Sequence, residues 1–492
     1  MSIPLLFNKN EHFCHIIYII IIQYIFLKIQ TFFLGDIKMQ KNINLTDGPV
    51  LSSLTKLAIP IMATSLIQMA YNLTDMIWIG RIGSDAVASV GAAGMYMWLS
   101  NGLAALAKMG GQVNVGYSLG SGRNDEASEY AGNALQLTGF FGLIYGMICA
   151  VFASPLIGFF HLNSAQVIAD AGCYLKITCG LVVFSFLNQT FTGIFTAIGN
   201  SRAAFLATTA GLIFNIILDP LLIFGIGPFP ELRVIGAAIA TIFAQIIVTI
   251  LFLYYAAKDS SIFQDVHVFR RPNPACILSI LRIGFPTSIQ NMLFTSISMI
   301  IARMVAGYGD AAVAVQKVGS QIESISWMTA DGFAAAVNSF IAQNHGAGKK
   351  DRIRSGYWSA MGIVLLWGIF CTILLIFFPT PIFRIFITEA DIIPLGIDYL
   401  VILGVSQLFM SVEITTAGAF SGYGKTIPPS VISISFTAAR IPLALLLTQT
   451  DLGLNGIWWS ITISSIFKGV FLFLWYIIFQ KKEMEIRLNR IE

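Results

Sequence analysis

Charged residues are scarce in this sequence. Of its 492 residues, 29 are basic and 25 acidic, so charged side chains make up 11% of the chain against 56% hydrophobic residues. Soluble proteins carry about 25% charged residues, and a globule of this length could not cover its surface with so few. The sequence therefore predicts a membrane protein whose apolar excess faces the lipid bilayer. The scattered net charge of +4 argues against binding to nucleic acid.

Several signatures of enzymes are also missing. The sequence has no Walker-type phosphate loop, so it supplies no ATPase of its own. Its six cysteines show neither metal-ligand spacing nor a disulfide framework, and we predict packing roles for them. The segment from Gly116 to Gly120 fits the nucleophile-elbow pattern, but it closes an apolar helix instead of following a strand. We therefore predict a protein that is not an enzyme and that has no cofactor.

Apolar segments long enough to cross a bilayer recur along the chain. The predicted spans are 57–79, 86–117, 131–154, 165–197, 204–224, 235–256, 278–305, 311–343, 356–379, 393–421, 427–449 and 455–479. This pattern predicts an all-α membrane protein with twelve transmembrane helices and short loops.

Basic residues concentrate in the loops on one side of these spans, where the sequence has Arg123, Arg202, Lys258, Arg270, Arg271, Lys349, Lys350, Arg352, Arg354 and Lys425. The opposite loops have little beyond Arg81, Arg233 and Arg384. Positive residues favour the cytoplasmic side, so we predict a cell-membrane protein with both ends of the twelve-span body in the cytoplasm. Residues 1–38 form a hydrophobic extension with two interpretations: a further span or interfacial helix, or an upstream stretch if translation starts at Met39.

An internal repeat relates the two halves of the chain. Gly83–Ala88 matches Gly309–Ala314, and Gly120–Asp125 matches Gly346–Asp351, both at an offset of 226. Further along, Gly193–Ser201 matches Gly418–Thr426 at 225. Six spans in each half give both halves the same orientation, so an axis along the membrane normal should relate them. We predict an N-lobe at 39–256, a linker at 257–277, a C-lobe at 278–479 and a cytoplasmic tail at 480–492.

Two acidic residues stand out within the first-half spans. Asp75 follows Tyr71 by one helical turn, and Asp219 follows Asn215 by the same spacing. Pro220 cannot donate a backbone hydrogen bond, so it should bend the helix beside the Asp219 carboxylate and act as a hinge. These side chains could hold a shared proton or an oxygen-coordinated cation. The alternative is a structural hydrogen-bonded network between two helices.

The second half is polar at other positions. Glu323, Asp331, Glu413 and Arg440 lie within its spans and are candidates for substrate binding, with structural pairing of Arg440 and Glu413 as the alternative. Glu323 and Asp331 are close enough around one helix to face a common cavity. For Lys108, Lys317 and Lys468 we predict that the side chains reach toward the headgroups.

Together these features resemble the multidrug and toxic compound extrusion (MATE) family from about residue 47 to 480. The matching residues are Gly48–Pro49, Ala58–Pro60, Asp75 with Gly80, the loops at 120–125 and 346–351, Gly199–Ser201 and Asn215–Pro220. The resemblance implies a two-lobed antiporter that exports organic cations in exchange for protons or sodium. Asp75 would be the central coupling carboxylate, surrounded by Tyr71, Asn215, Asp219 and Thr241.

One departure from that family concerns the seventh span. Some sodium-coupled relatives place an acid there, whereas Leu281–Ala306 contains none, which argues against sodium coupling through the second half. We expect a monomer that exports cationic or lipophilic small molecules by alternating access. Two alternatives remain: a flippase for lipid-linked precursors, which should carry basic residues for phosphates, and a membrane scaffold or receptor without a transport cycle.

Overall fold

The protein is described from a computed structural model, which covers residues 42–488 except positions 161, 163, 260, 387, 388 and 390. The predicted extension at 1–38 lies outside the described residues. Every regular element in the described ranges is helical. The helices of the first half are α1 (Val50–Ile82), α2 (Ser84–Gly120), α3 (Asn124–Val151), α4 (Ala153–Gly158), α5 (Ala165–Thr178), α6 (Val183–Ala197), α7 (Ser201–Phe224) and α8 (Arg233–Lys258).

The second half follows a 3-10 turn at Phe263–Asp265 and repeats this order, except that two helices, α15 and α16, take the place of α7. Its helices are α9 (Pro274–Ala306), α10 (Asp310–Gly346), α11 (Lys350–Phe377), α12 (Pro379–Arg384), α13 (Ile393–Gly404), α14 (Gln407–Gly422), α15 (Ile427–Ala438), α16 (Arg440–Leu447) and α17 (Leu454–Leu488). Helix α17 runs on through 480–488, where the sequence predicted a tail.

The repeat seen in the sequence extends to the helices themselves. Helices α2 and α10 both have 37 residues, and α3 and α11 both have 28. Each second-half helix of these pairs begins 226 positions after its counterpart. Pro60 in α1 and Pro286 in α9 are also related by this offset. The two halves are therefore built on the same helical plan.

Twelve helical segments correspond to the twelve predicted spans. Eight are long and apolar enough by themselves to cross a membrane, and two more are the bent pairs α5 with α6 and α13 with α14. Each bent pair turns by 45°, whereas the sequence predicted continuous spans at 165–197 and 393–421. The remaining two are α2 and α10, which are long but richer in glycine and polar side chains.

Within the described residues, the two halves share a hydrophobic core at one end. This end, where α2 and α10 finish, carries the basic loops and is called the basic end below. There, Leu54 and Leu57 of α1 pack with Phe340 of α10 and Ile353 of α11. At the other end the buried residues form separate clusters, one confined to the first half and two confined to the second. The halves are therefore joined at the basic end and form independent cores at the opposite end.

Glycines allow the helices of the two halves to approach closely at the basic end. A Cβ atom on Gly120 would lie 1.8 Å from the carbonyl oxygen of Gln343, and one on Gly346 would lie 2.0 Å from that of Tyr117. Side chains add to this contact, because Gln112 donates to the hydroxyl of Ser339 at 2.9 Å. Only glycine fits at positions 120 and 346 while the halves remain this close.

Candidate cation site

The candidate site begins on α7, which crosses the first half beside α1 and α8. This helix starts after Asn200, whose side-chain oxygen accepts a hydrogen bond from the backbone of Ala203 at 3.2 Å and caps the helix. Asn215 and Asp219 follow on one face, with 1% and 0% of their surfaces exposed. The Asn215 amide donates to Oδ1 of Asp219 at 3.3 Å. The predicted pairing of these two side chains is therefore present.

Helix α1 brings Asp75 and Tyr71 to the same place. The Asp75 carboxyl group interacts electrostatically with that of Asp219. One turn earlier, the Tyr71 hydroxyl lies 3.3 Å from the hydroxyl of Thr241 on α8. The structure thus gathers all five residues of the predicted cluster from three helices, including Thr241, which only the family resemblance had suggested.

No salt bridge in the described part of the chain balances the charge of this cluster. Among the described residues, no lysine or arginine forms a salt bridge with Asp75 or Asp219. Three buried oxygens have no hydrogen-bond partner among the residues that the structure describes: Oδ1 of Asp75, Oδ1 of Asn215 and Oδ2 of Asp219. Two neighbouring carboxylates in such surroundings can both stay ionised only if a cation binds between them, and otherwise one of them takes up a proton. The oxygen ligands fit either a proton or a hard cation such as sodium.

One aromatic residue near the cluster was missed by the sequence analysis. Tyr174 on α5 is 6% exposed and interacts electrostatically with Asp75, Asp219 and Tyr71. It lies one turn before the bend between α5 and α6. A tyrosine in an apolar span carries no local signal of such a position, because it is set by the packing of the bent helix.

Pro220 lies inside α7, one residue after Asp219. The helix continues through it to Phe224 without interruption, so the proline does not break the span. Its proposed role as a hinge stays a prediction.

The charged residues of the second half are arranged differently. The Lys468 ammonium on α17 lies 3.0 Å from the Glu413 carboxylate on α14, and both side chains are less than a tenth exposed. The prediction that Lys468 reaches toward the headgroups is wrong, because the buried carboxylate offers it a partner inside the protein. Glu413 therefore pairs with Lys468, and the suggested salt bridge with Arg440 does not form.

Arg440 binds serine hydroxyls on α17 instead. Its guanidinium donates to Ser464 at 2.6 Å and to Ser465 at 3.2 Å. Glu323 of α10 is within electrostatic range of Arg440, and its Oε1 is buried without a hydrogen-bond partner in the described ranges. Two acids and two cations thus offset one another within the second half.

Glu323 and Asp331 do not share their surroundings, although they lie on one helix. Glu323 interacts with Arg440 and Tyr399 of its own half. Asp331 is exposed and interacts with Lys108 of α2, across the boundary between the halves. Their charged partners therefore differ, and the expectation that both acids face one cavity stays a prediction.

Comparisons with known proteins agree with this architecture. The MatE family model matches residues 60–221 and 286–446, and its two matches begin 226 positions apart, as the repeat does. A probable multidrug resistance protein NorM of Thermotoga maritima is 30% identical over 427 residues, covering 86% of this chain and 91% of that protein. An FAD transporter of Shewanella oneidensis is 26% identical, covering 88% of this chain and 95% of that protein.

A solved structure shows the same fold. It is described as the outward-facing conformation of a multidrug resistance MATE family transporter of the MOP superfamily. It superimposes with a TM-score of 0.84 at 22% sequence identity and covers 91% of this chain and 99% of its own. The two family-model matches, the bacterial relative and the shared twelve-helix fold show that this chain belongs to the MATE family of multidrug efflux transporters.

Proposed function

We propose that this protein is a secondary antiporter that exports cationic or lipophilic organic compounds in exchange for protons or sodium. The observation that carries the proposal is the set of three unpartnered buried oxygens on Asp75, Asn215 and Asp219. A buried acidic pair without a protein cation must take up a proton or a cation, and its surroundings must change when it releases one. This is the property that a coupling site requires.

The shared core at the basic end supports an alternating-access cycle. The halves pack together there and keep separate cores at the other end, so a cleft between them would open away from the basic loops. We assign the basic end to the cytoplasm of the cell membrane because basic loops are retained on that side. In this conformation the cleft faces outward, and the protein works as a monomer with an N-lobe at 39–256 and a C-lobe at 278–479.

Ion binding would act on the shape of the first half. Asp75, Asp219 and Thr241 lie on three different helices, so a proton or sodium ion among them draws α1, α7 and α8 together. Pro220 leaves α7 one backbone hydrogen bond short beside the site, and we place the resulting hinge motion there. Asp331, exposed between the halves, gives an organic cation a carboxylate to bind in competition with Lys108.

The flippase alternative is less well supported. A carrier of lipid-linked phosphates needs free basic side chains in its cleft, yet Lys468 is paired with Glu413 and Arg440 is bound to serines. Both cations are already engaged within the second half.

Dye efflux from cells tests the proposal directly. We expect Asp75→Asn and Asp219→Asn each to abolish export of a cationic dye at normal expression levels, because neither amide can exchange a proton or balance a cation. Asp85→Asn is the matched control, since Asp85 is an exposed carboxylate at the start of α2 in the same half and should leave export unchanged. Export at the unsubstituted rate in Asp75→Asn would remove this residue from coupling.

A further inference from the structure

The chain just before α1 crosses from one half of the molecule to the other at the basic end. We call residues 43–48 the first strap. On the side of the first half, the backbone N–H of Ile43 donates to the carbonyl of Gly199 at 3.2 Å. Gly199 has a φ of 84°, and a Cβ atom there would lie 2.4 Å from the carbonyl oxygen of Ile43. The loop before α7 is thus shaped to accept the strap closely.

The other side of the first strap is held by the second half. Arg352 donates to three backbone carbonyls of the strap, those of Leu45, Asp47 and Gly48, at 3.1, 2.8 and 2.6 Å. Lys349 binds the Asp47 carboxylate at 2.7 Å. These contacts are hydrogen bonds from charged donors, which are stronger than neutral ones.

Burial strengthens the same attachment. Asn344 donates to the carbonyl of Leu45 at 2.9 Å, and the Leu45 side chain is 0% exposed in a core with Phe340 and Ile353 of the second half. Burying the whole Leu45 side chain stabilises the packed strap by the free energy of transferring that side chain out of water. The strap is therefore packed into the second half as well as hydrogen-bonded to it.

The first strap must nevertheless move with the first half. It leads directly into α1, and α1 is bound to the first half by the Ser201 hydroxyl, which donates to the carbonyl of Leu57 at 2.8 Å. The contact between Tyr71 and Thr241 holds α1 further along. If the halves separate at the basic end, the bonds from Lys349, Arg352 and Asn344 to the strap are therefore stretched first.

A second strap stands at the corresponding place before α9. Residues 268–273 follow the first strap by about one repeat length and cross in the opposite direction, onto α3 of the first half. Gln136 donates to the carbonyls of Val268 and Arg270 at 2.6 and 2.7 Å. Asn133 accepts from the backbone of Asn273 at 2.9 Å. The Glu129 carboxylate accepts from the Asn273 side chain at 2.9 Å. Helix α3 thus holds the second strap with two neutral amides and one carboxylate, whereas two cations hold the first strap.

We propose that the first strap is a latch that keeps the basic end of the transporter closed, with Lys349 and Arg352 as the residues that hold it. Release of this latch is required for the halves to part on that side, and its charged contacts set how often they do. The second strap braces the same end without a lysine or arginine among the contacts described above. This proposal rests on the alternating-access cycle proposed above, in which the latch would be the gate at the basic end.

The test measures the opening of the basic end without relying on transport. Spin labels are attached at Asp125→Cys in the first half and Lys425→Cys in the second, both exposed at the basic end, after the six native cysteines are replaced. Distances are recorded by double electron–electron resonance in nanodiscs. For the double variant Lys349→Gln with Arg352→Gln we expect the population of long distances to rise about tenfold or more, since charged hydrogen bonds of this kind are lost.

Lys350→Gln is the matched control. Lys350 is the neighbour of Lys349, but it binds Glu483 at 3.1 Å, and both partners belong to the second half. Lys350→Gln removes one positive charge at the neighbouring position without touching the strap, so the distances should not change. An unchanged distribution in the double variant, or an equal change in the control, would overturn the latch.

A locked variant guards against simple misfolding. Asp47→Cys with Lys349→Cys, joined by a cleavable bismaleimide, should lose dye export while linked and regain it after cleavage. Full export by the linked protein would also overturn the proposal. The two ideas fail separately: if Asp75→Asn exports normally while the strap variants still change the distances, the ion coupling is wrong and the latch stands.

Discussion

The buried pair of Lys468 and Glu413 allows a quantitative prediction about stability. With both side chains less than a tenth exposed, removing one partner leaves the other charged and buried, which costs about 3–5 kcal/mol. For Lys468→Met we expect about 3 kcal/mol, the lower end of this range, because Arg440 also acts on Glu413. For Glu413→Gln we expect about 5 kcal/mol, since the Lys468 ammonium then lies near Arg440 with no carboxylate between them.

The double variant separates the pair from the rest of the site. Lys468→Met with Glu413→Gln leaves no unpaired charge at these positions, so we expect it to lose less than about 2 kcal/mol and to show strong coupling between the two changes. Unfolding by SDS titration in mixed micelles gives the free energies. The exposed pair of Lys350 and Glu483, about a third exposed on each side, is the control, and Lys350→Met should cost at most about 1 kcal/mol. Equal losses for the two lysine variants, or additive losses in the double variant, would refute this reasoning.

Two further predictions concern the basic end. Gly120→Ala places a Cβ atom 1.8 Å from the Gln343 carbonyl oxygen, so it should disfavour the closed basic end by about 1–3 kcal/mol and raise the long-distance population of the spin labels. Gly139→Ala is the control, because its Cβ atom meets open space and should leave the distances unchanged. Identical distances in both variants would contradict the close helix contact. Hydrogen bonds from Lys349 and Asn44 lower the pKa of Asp47 below its ordinary value of 3.8. The ion pair of Asp47 with Lys349 is therefore complete above pH 3.8 and is lost only as the pH falls through the lowered pKa of the folded protein. The latch distances should therefore be the same at about pH 5.5 and about pH 8.5, measured in a variant with Asp75→Asn and Asp219→Asn; a change over this range would assign the titration to another group.

Much of the architecture could be predicted from the sequence because its signals are local. Apolar runs mark the spans, and the offset of 226 between related motifs reappears between the helix pairs α2 with α10 and α3 with α11. Asp75 and Asp219 could be singled out because charge is so rare in this chain. Their meeting depends on α1 packing beside α7, which the family resemblance implied.

The features that escaped prediction are tertiary. The bend between α5 and α6 falls at Gly180, whose backbone oxygen would lie 2.6 Å from a Cβ atom on Gly146 of α3. It coincides with a close helix contact, and the stretch 165–197 contains no proline. Lys468 and Glu413 are far apart in the sequence, and nothing near either residue indicates the other. The first strap is held largely through its backbone carbonyls, which every residue possesses and no motif reveals.

The central claim is that the first-half acids couple export to an ion gradient. The direct measurement is uptake of a cationic dye into inside-out proteoliposomes, with sodium and proton gradients imposed separately, for the unsubstituted protein and for Asp75→Asn. We expect one of the two gradients to drive transport in the unsubstituted protein and neither to drive it in Asp75→Asn. Gradient-driven transport at an undiminished rate in Asp75→Asn would contradict the account.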